Sequence, residues 1–183
     1  MKRAALIPAL LVALASPAAA KVPRLAMLEA QVQRVEDEIA IRRIIIDYSW
    51  ALDHRDFETY AALFGSDGEW INGSLVRKGH DEIMQLLTGL YPNTPANYVN
   101  RESLHIITNI EVSVSGDQAV AHTRHLLLKR APDGHIVPSL AGRYDDELIR
   151  ENGKWRFKRR VDNPIMPTPE EWGAIMRARR GGK

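Results

Sequence analysis

An α+β domain is what this sequence predicts, from the order of its periodicities. Apolar residues recur every three or four positions in the first third, four long strand-like runs fill the second half, and turn signals separate those runs. Helices first and an antiparallel meander afterwards give α+β rather than alternating α/β. No internal repeat and no second domain is visible in the 183 residues.

The elements follow in order. Leu28, Val32, Val35, Ile39, Ile41, Ile44, Ile45, Tyr48 and Leu52 trace one apolar stripe from Leu25 to Leu52, expected to break near Asp37 or Glu38 into two helices. Asp56 is placed to cap a short helix through Tyr60 and Leu63, because its carboxylate can accept the first free N–H groups. Gly65-Ser66-Asp67-Gly68 is expected to end that helix, and Glu69-Trp70-Ile71 and Leu75-Val76-Arg77 form a hairpin around Asn72-Gly73. A helix follows over His80 to Leu90 with Asp81 as its cap, then a Pro- and Asn-rich loop from Pro92 to Asn100. The strands are Leu104 to Val114, Gln118 to Lys129, Ser139 to Glu151 and Lys154 to Val161. In the tail, Thr168 reads as an N-cap, with Pro169 at the first helical position and Glu170 and Glu171 in the first turn.

Residues 1–20 have the layout of a cleaved export signal: Lys2 and Arg3, an apolar run to Ala15, then Ala18-x-Ala20. The apolar run is too short for a membrane span of roughly 20 residues. The expected organisation is therefore a signal peptide at 1–20, a domain at 21–163 and a tail at 164–183 that serves as a lid or an oligomer contact, in a periplasmic or secreted protein. Without Lys2 and Arg3 the 25 basic and 23 acidic residues come into balance, which argues against a nucleic-acid partner. The absence of cysteine rules out thiol catalysis and Cys-ligated metal. No Gly-rich phosphate loop and no close histidine pair on a helix is present, so no metal or other cofactor is expected.

Polar residues aimed between a helix and a curled sheet are the natural site candidates. Asp53 ends the first helical block, on the face of Ile46, Ser49 and Trp50, and His105 starts the first long strand inside the apolar ESLHIITN. A carboxylate beside an imidazole fixes its tautomer and makes it a general base. Asp53 equally fits a helix cap or a pair with Arg55. His125 shares a strand face with Ala121, Thr123 and Leu127, where small residues leave room for a ligand. Arg160 suits either an oxyanion-holding group at a pocket mouth or a strand-end cation balancing Asp145, Asp146 and Glu147. Tyr48, Trp50 and Trp70 are core aromatics, or an aromatic wall for a flat ligand.

From Ile39 to Arg160 the pieces YSWALDHRDF, LFGSDGEW, RKGHDEI, LHIITN, GDQAVA and GRYDDELIRENGKWRFKRR, in this order, resemble the SnoaL-like branch of the nuclear-transport-factor-2 superfamily. The pattern is most similar to the hexachlorocyclohexane dehydrochlorinase and scytalone dehydratase group. The resemblance implies a cone-shaped fold, a cofactor-free lyase with Asp53 and His105 as its dyad, and Arg160 in the position of the dehydrochlorinase arginine. It also shows departures: Tyr48 stands in place of a lysine and Leu52 in place of a tyrosine. The expected function is elimination of water, formaldehyde or a similar group from a small hydrophobic, cyclic or aromatic substrate, with Tyr48, Trp50, Trp70 and His125 as substrate contacts. A ketosteroid-type isomerase and a non-catalytic binding protein remain the alternatives, and a homodimer or homotrimer without membrane insertion is expected.

Overall fold

In the computed structural model, residues 17–181 are described. The signal-peptide expectation falls mostly outside them; its last four residues begin helix α1, Pro17–His54. The chain divides into two compact units, residues 1–35 and 36–183. In the first, Leu25, Leu28, Val32 and Val35 are exposed. In the second, Ile39 is exposed too, so the apolar stripe is buried only from Ile41 through Ile45, Tyr48 and Ala51. The expected break near Asp37 is not seen. Asp37 is instead buried and accepts from Arg150 Nη2 at 2.6 Å and Trp155 Nε1 at 3.1 Å, which gives a polar residue a satisfied place in the core.

The second unit continues with α2 (Phe57–Ala62), β1 (Phe64–Asn72), β2 (Leu75–Lys78), α3 (Gly79–Leu90), β3 (Ser103–Ser115), β4 (Gln118–Arg130), β5 (Ile136–Glu151), β6 (Lys154–Met166) and α4 (Pro169–Gly181). The six strands form one curved sheet in the order β2-β1-β6-β5-β4-β3, antiparallel except for β1 beside β6. Gly65 to Gly68 belongs to β1 rather than to a loop, with a register shift between Phe64 and Glu69. Gly68 lies against the Phe157 carbonyl so closely that a Cβ would sit 2.6 Å from it. Asp56 caps α2 by accepting from Thr59 N. Asp81 does not cap α3: Glu82 reaches back to the Lys78 N–H instead. At α4, Thr168 and Glu171 exchange side-chain and backbone hydrogen bonds in a capping box.

Alternation along the strands puts Ala119, Ala121, Thr123, His125 and Leu127 of β4 and Leu140, Gly142, Tyr144, Asp146 and Leu148 of β5 on the buried face. On β3 the half-buried positions are His105 and Ile107, then Ile110, Val112 and Val114 after a bulge. Ile110, Val112 and Val114 thus pack on the core, while Val120 lies exposed on the opposite face.

Candidate active site

α1 ends in a Schellman motif. The Arg55 N–H donates to the Leu52 carbonyl and the Asp56 N–H to Ala51, with Arg55 left-handed at φ 60°. Glycine is the usual residue there, and a side chain costs about 1–2 kcal/mol. Directly before this turn, Asp53 projects from the buried face of α1 onto the start of β3. Its Oδ1 lies 2.6 Å from His105 Nδ1, and its Oδ2 accepts the His105 backbone N–H at 2.9 Å. Both side chains are about nine-tenths buried. One carboxylate therefore fixes the ring and the strand that carries it. Donation from Nδ1 to the carboxylate places the proton on Nδ1 and leaves Nε2 as the basic nitrogen of the neutral ring. Asp53 neither caps α2 nor pairs with Arg55, and its face of α1 is that of Ile45 and Ser49. Ile46 and Trp50 are exposed, because the helix turns that side outward.

His105 lines a cavity of about 550 Å³ together with Arg55, Tyr91, Ser103, Leu127, Lys129 and Arg130. This size suits a small organic ligand.

Deeper along the sheet the register gives successive rows: His105–Leu127–Leu140, then His125–Gly142, then Thr123–Tyr144–Asp162, then Ala121–Asp146–Arg160–Trp70. His125 is buried one row below His105, roughly 7 Å along the strand. Its Nε2 lies 3.1 Å from Asp162 Oδ1, and its ring stacks on Tyr144 at 4.1 Å and 10°. The ring fits because residue 142 is glycine: a Cβ there would meet the imidazole, coming within 2.7 Å of Cε1. A third pair, His122–Asp145, is on the outer face and joins Arg143, whose guanidinium helps hold the Asp145 carboxyl low against a burial effect that raises it.

Arg160 is not at a pocket mouth. It is fully buried three rows from His105, about 20 Å of strand. Nε and Nη2 form a bidentate pair with Asp146 at 2.8 and 2.7 Å, and the guanidinium lies 4.0–4.3 Å from the ring centres of Tyr48, Tyr144 and Phe157. Burial lowers its pKa, yet Asp146 outweighs that and the net shift is upward. Tyr48 is core: its hydroxyl accepts from Tyr60 and from Trp70 Nε1, and burial pushes its pKa up to about 12. Trp70 is half-buried beside it, whereas Trp50 is 54% exposed and stacks on His54, away from both core and cavity. Ser49 Oγ, Thr123 Oγ1, His125 Nδ1 and Arg160 Nη1 are buried without a hydrogen-bond partner among the described residues. Among the same residues, no group of three or more His, Asp or Glu side chains is placed to hold a metal ion.

Sequence reasoning missed Asp162 and Gly142, and named Arg55 only as a candidate partner of Asp53. Gly142 carried a signal, since a lone glycine inside a strand marks a close approach. The other two are exchanged or stacked partners that only the assembled sheet reveals.

Comparison with known proteins agrees with this architecture. A gamma-hexachlorocyclohexane dehydrochlorinase from Sphingobium indicum is 28% identical over 134 residues, 72% of this chain and 82% of that one. A crystal structure of a protein named for scytalone dehydratase, from Novosphingobium aromaticivorans, is 28% identical with a TM-score of 0.61, over 74% of this chain and 88% of the other. An NTF2-like protein with a cystatin-like fold from the same organism superposes with a TM-score of 0.68 at 25% identity, over 77% and 90% of the chains. The family model of the SnoaL-like domain matches residues 33–161, which takes in the dyad and every strand up to the middle of β6. By that match, well over half of its length, this chain belongs to the SnoaL-like domain family.

Proposed function

We propose that the protein is a cofactor-independent lyase in which His105, oriented by Asp53, removes a proton from a carbon or hydroxyl of a small cyclic or aromatic substrate. Water, formaldehyde or another small group leaves as the double bond or carbonyl forms. The observation that carries this reading is the 2.6 Å contact between Asp53 Oδ1 and His105 Nδ1 at the wall of the cavity. It makes Nε2 the acceptor, and the carboxylate stabilises the imidazolium formed by proton transfer. Relatives named as a dehydrochlorinase and for a dehydratase support elimination chemistry. Loss of halide is the less favoured outcome: Tyr48, at the position where the resemblance has a lysine, is buried with its hydroxyl engaged. His125, one row below His105, is the deeper substrate contact of this reading, whereas Tyr48, Trp70 and Arg160 belong to the core further down the sheet.

The test is mass spectrometry of the purified protein incubated with aromatic and cyclic alcohols, including lignin-derived diaryl diols. The expected result is loss of water or formaldehyde, abolished in His105→Ala and reduced about 10²–10⁴-fold in Asp53→Asn. Full turnover in both variants would overturn the dyad, and product of unchanged mass would replace the lyase by an isomerase.

A further inference from the structure

The cavity above His105 has a lopsided charge. Arg55, Lys129 and Arg130 line it against one carboxylate, Glu102. Asp53 is a second carboxylate behind the imidazole, with both oxygens engaged by His105, and the three cations still outnumber the two acids. The three cations are unequal in kind. Arg130 is exposed, whereas Arg55 is half-buried and fixed from several sides. Its guanidinium lies 3.5 Å from the ring centre of Tyr91 and 5.2 Å from that of Tyr98, and Nη1 donates to the Leu52 carbonyl at 2.9 Å. Tyr91 is in turn stacked on Phe57. A guanidinium has five N–H donors, so four remain beyond that bond. Among the described residues no carboxylate pairs with it.

The backbone gives a second reason to single out Arg55. It occupies the left-handed position that closes α1, where glycine would fit without strain. Strained positions persist where the side chain is needed, and this one is two residues from Asp53 and shares the cavity wall with His105. A planar fork held rigid by aromatic rings is suited to a carboxylate, which it meets with two parallel charge-assisted hydrogen bonds.

Resting on the lyase reading, we propose that the substrate is an anion, an aromatic or cyclic carboxylic acid whose carboxylate is held by Arg55 while its reacting atom lies over His105. Arg130, exposed at the cavity's edge, draws the acid in, and Arg55 sets its orientation.

The experiment is a calorimetric titration of the purified full chain with 4-hydroxybenzoate and with 4-hydroxybenzamide, which share a ring and differ in charge. Wild type and His105→Ala should both bind the acid at least about tenfold more tightly than the amide, the worth of a charge-assisted pair. The preference should shrink as salt rises. Arg55→Gln should abolish it with little change in amide affinity. Arg55→Gly should abolish it as well while leaving the melting temperature equal to or above that of wild type, because glycine relieves the strained position. Equal affinity for acid and amide, a preference that survives in Arg55→Gln, or binding of neither compound by wild type would each overturn the proposal. Because binding is read without turnover and in His105→Ala too, failure of this inference is separate from failure of the lyase reading.

Discussion

Replacing Gly142 by Ala tests how tightly the second histidine is seated. The added Cβ would meet the His125 ring, 2.7 Å from Cε1, and would lie 2.9 Å from the Asn163 carbonyl. The backbone oxygen is held in the sheet, so the imidazole must yield by about 1 Å. That displacement breaks the 3.1 Å bond to Asp162 and the flat stack on Tyr144. Overpacking costs about 1–3 kcal/mol, and loss of a hydrogen bond to a charged group costs about 1.5–3 kcal/mol. Reduced chain entropy in the unfolded state returns about 0.4–1 kcal/mol. The net expectation is about 3 kcal/mol of destabilisation, or a fall of roughly 6–12 °C in melting temperature for a chain of this size. Urea denaturation of Gly142→Ala, His125→Ala and the double variant measures it. In the double variant the clash with the ring is gone and only the approach to the Asn163 carbonyl remains, so the glycine substitution should cost less on that background. A loss below about 0.5 kcal/mol in Gly142→Ala, or strict additivity with His125→Ala, would refute the seating argument.

Two further outcomes follow from the closed end of the sheet. Asp146→Ala strands the Arg160 guanidinium in a fully buried place and should cost about 3–5 kcal/mol in urea denaturation, whereas Asp146→Leu combined with Arg160→Met should recover most of it; a single variant as stable as wild type would contradict the pairing. Tyr48 is pushed up to about 12 chiefly by burial, and Tyr60 and Tyr144 are raised for the same reason. The folded state therefore holds these protons above pH 10, where the unfolded chain releases them, so their stabilisation is complete below about pH 10 and lost as pH rises through the folded values. Tyr48 alone accounts for about 3 kcal/mol of that loss, and a urea midpoint unchanged from pH 9 to pH 12 would show that the hydroxyls are not buried as described.

The sequence carried the strands well because alternation and turn residues are local properties. Pro132-Asp133-Gly134 and Glu151-Asn152-Gly153 mark the β4–β5 and β5–β6 turns, with Asn152 and Gly153 at positive φ. The Asp53–His105 pair was legible for a different reason: His105 is a polar ring at an apolar strand start, and the family resemblance set Asp53, at the helix end, beside it. The pairing of Arg160 with Asp146 was one of its two sequence readings, but its full burial was not, because a basic run looks like a solvated strand end until cross-strand register closes the core around it. Trp50 failed similarly, since a continuous apolar stripe does not show which arc of a helix the sheet covers. Sequence alone reads Arg55 only as a candidate partner of Asp53, because its stacking on Tyr91 and Tyr98 depends on a loop more than thirty residues away.

Strand β3 is the last in the sheet, and a terminal strand offers unpaired donors and acceptors to any passing extended chain. On this edge, the His105 N–H is taken by Asp53 and the Ile110 carbonyl by Arg42 Nη1 at 2.7 Å. Both side chains come from α1, spaced eleven residues apart, so the helix supplies in side chains some of the bonds that a neighbouring strand would supply in backbone. The carboxylate that orients the imidazole thus also guards the sheet against growth. Substitutions at Asp53 made to probe chemistry will loosen that guard, and the association state of each such variant belongs beside its rate.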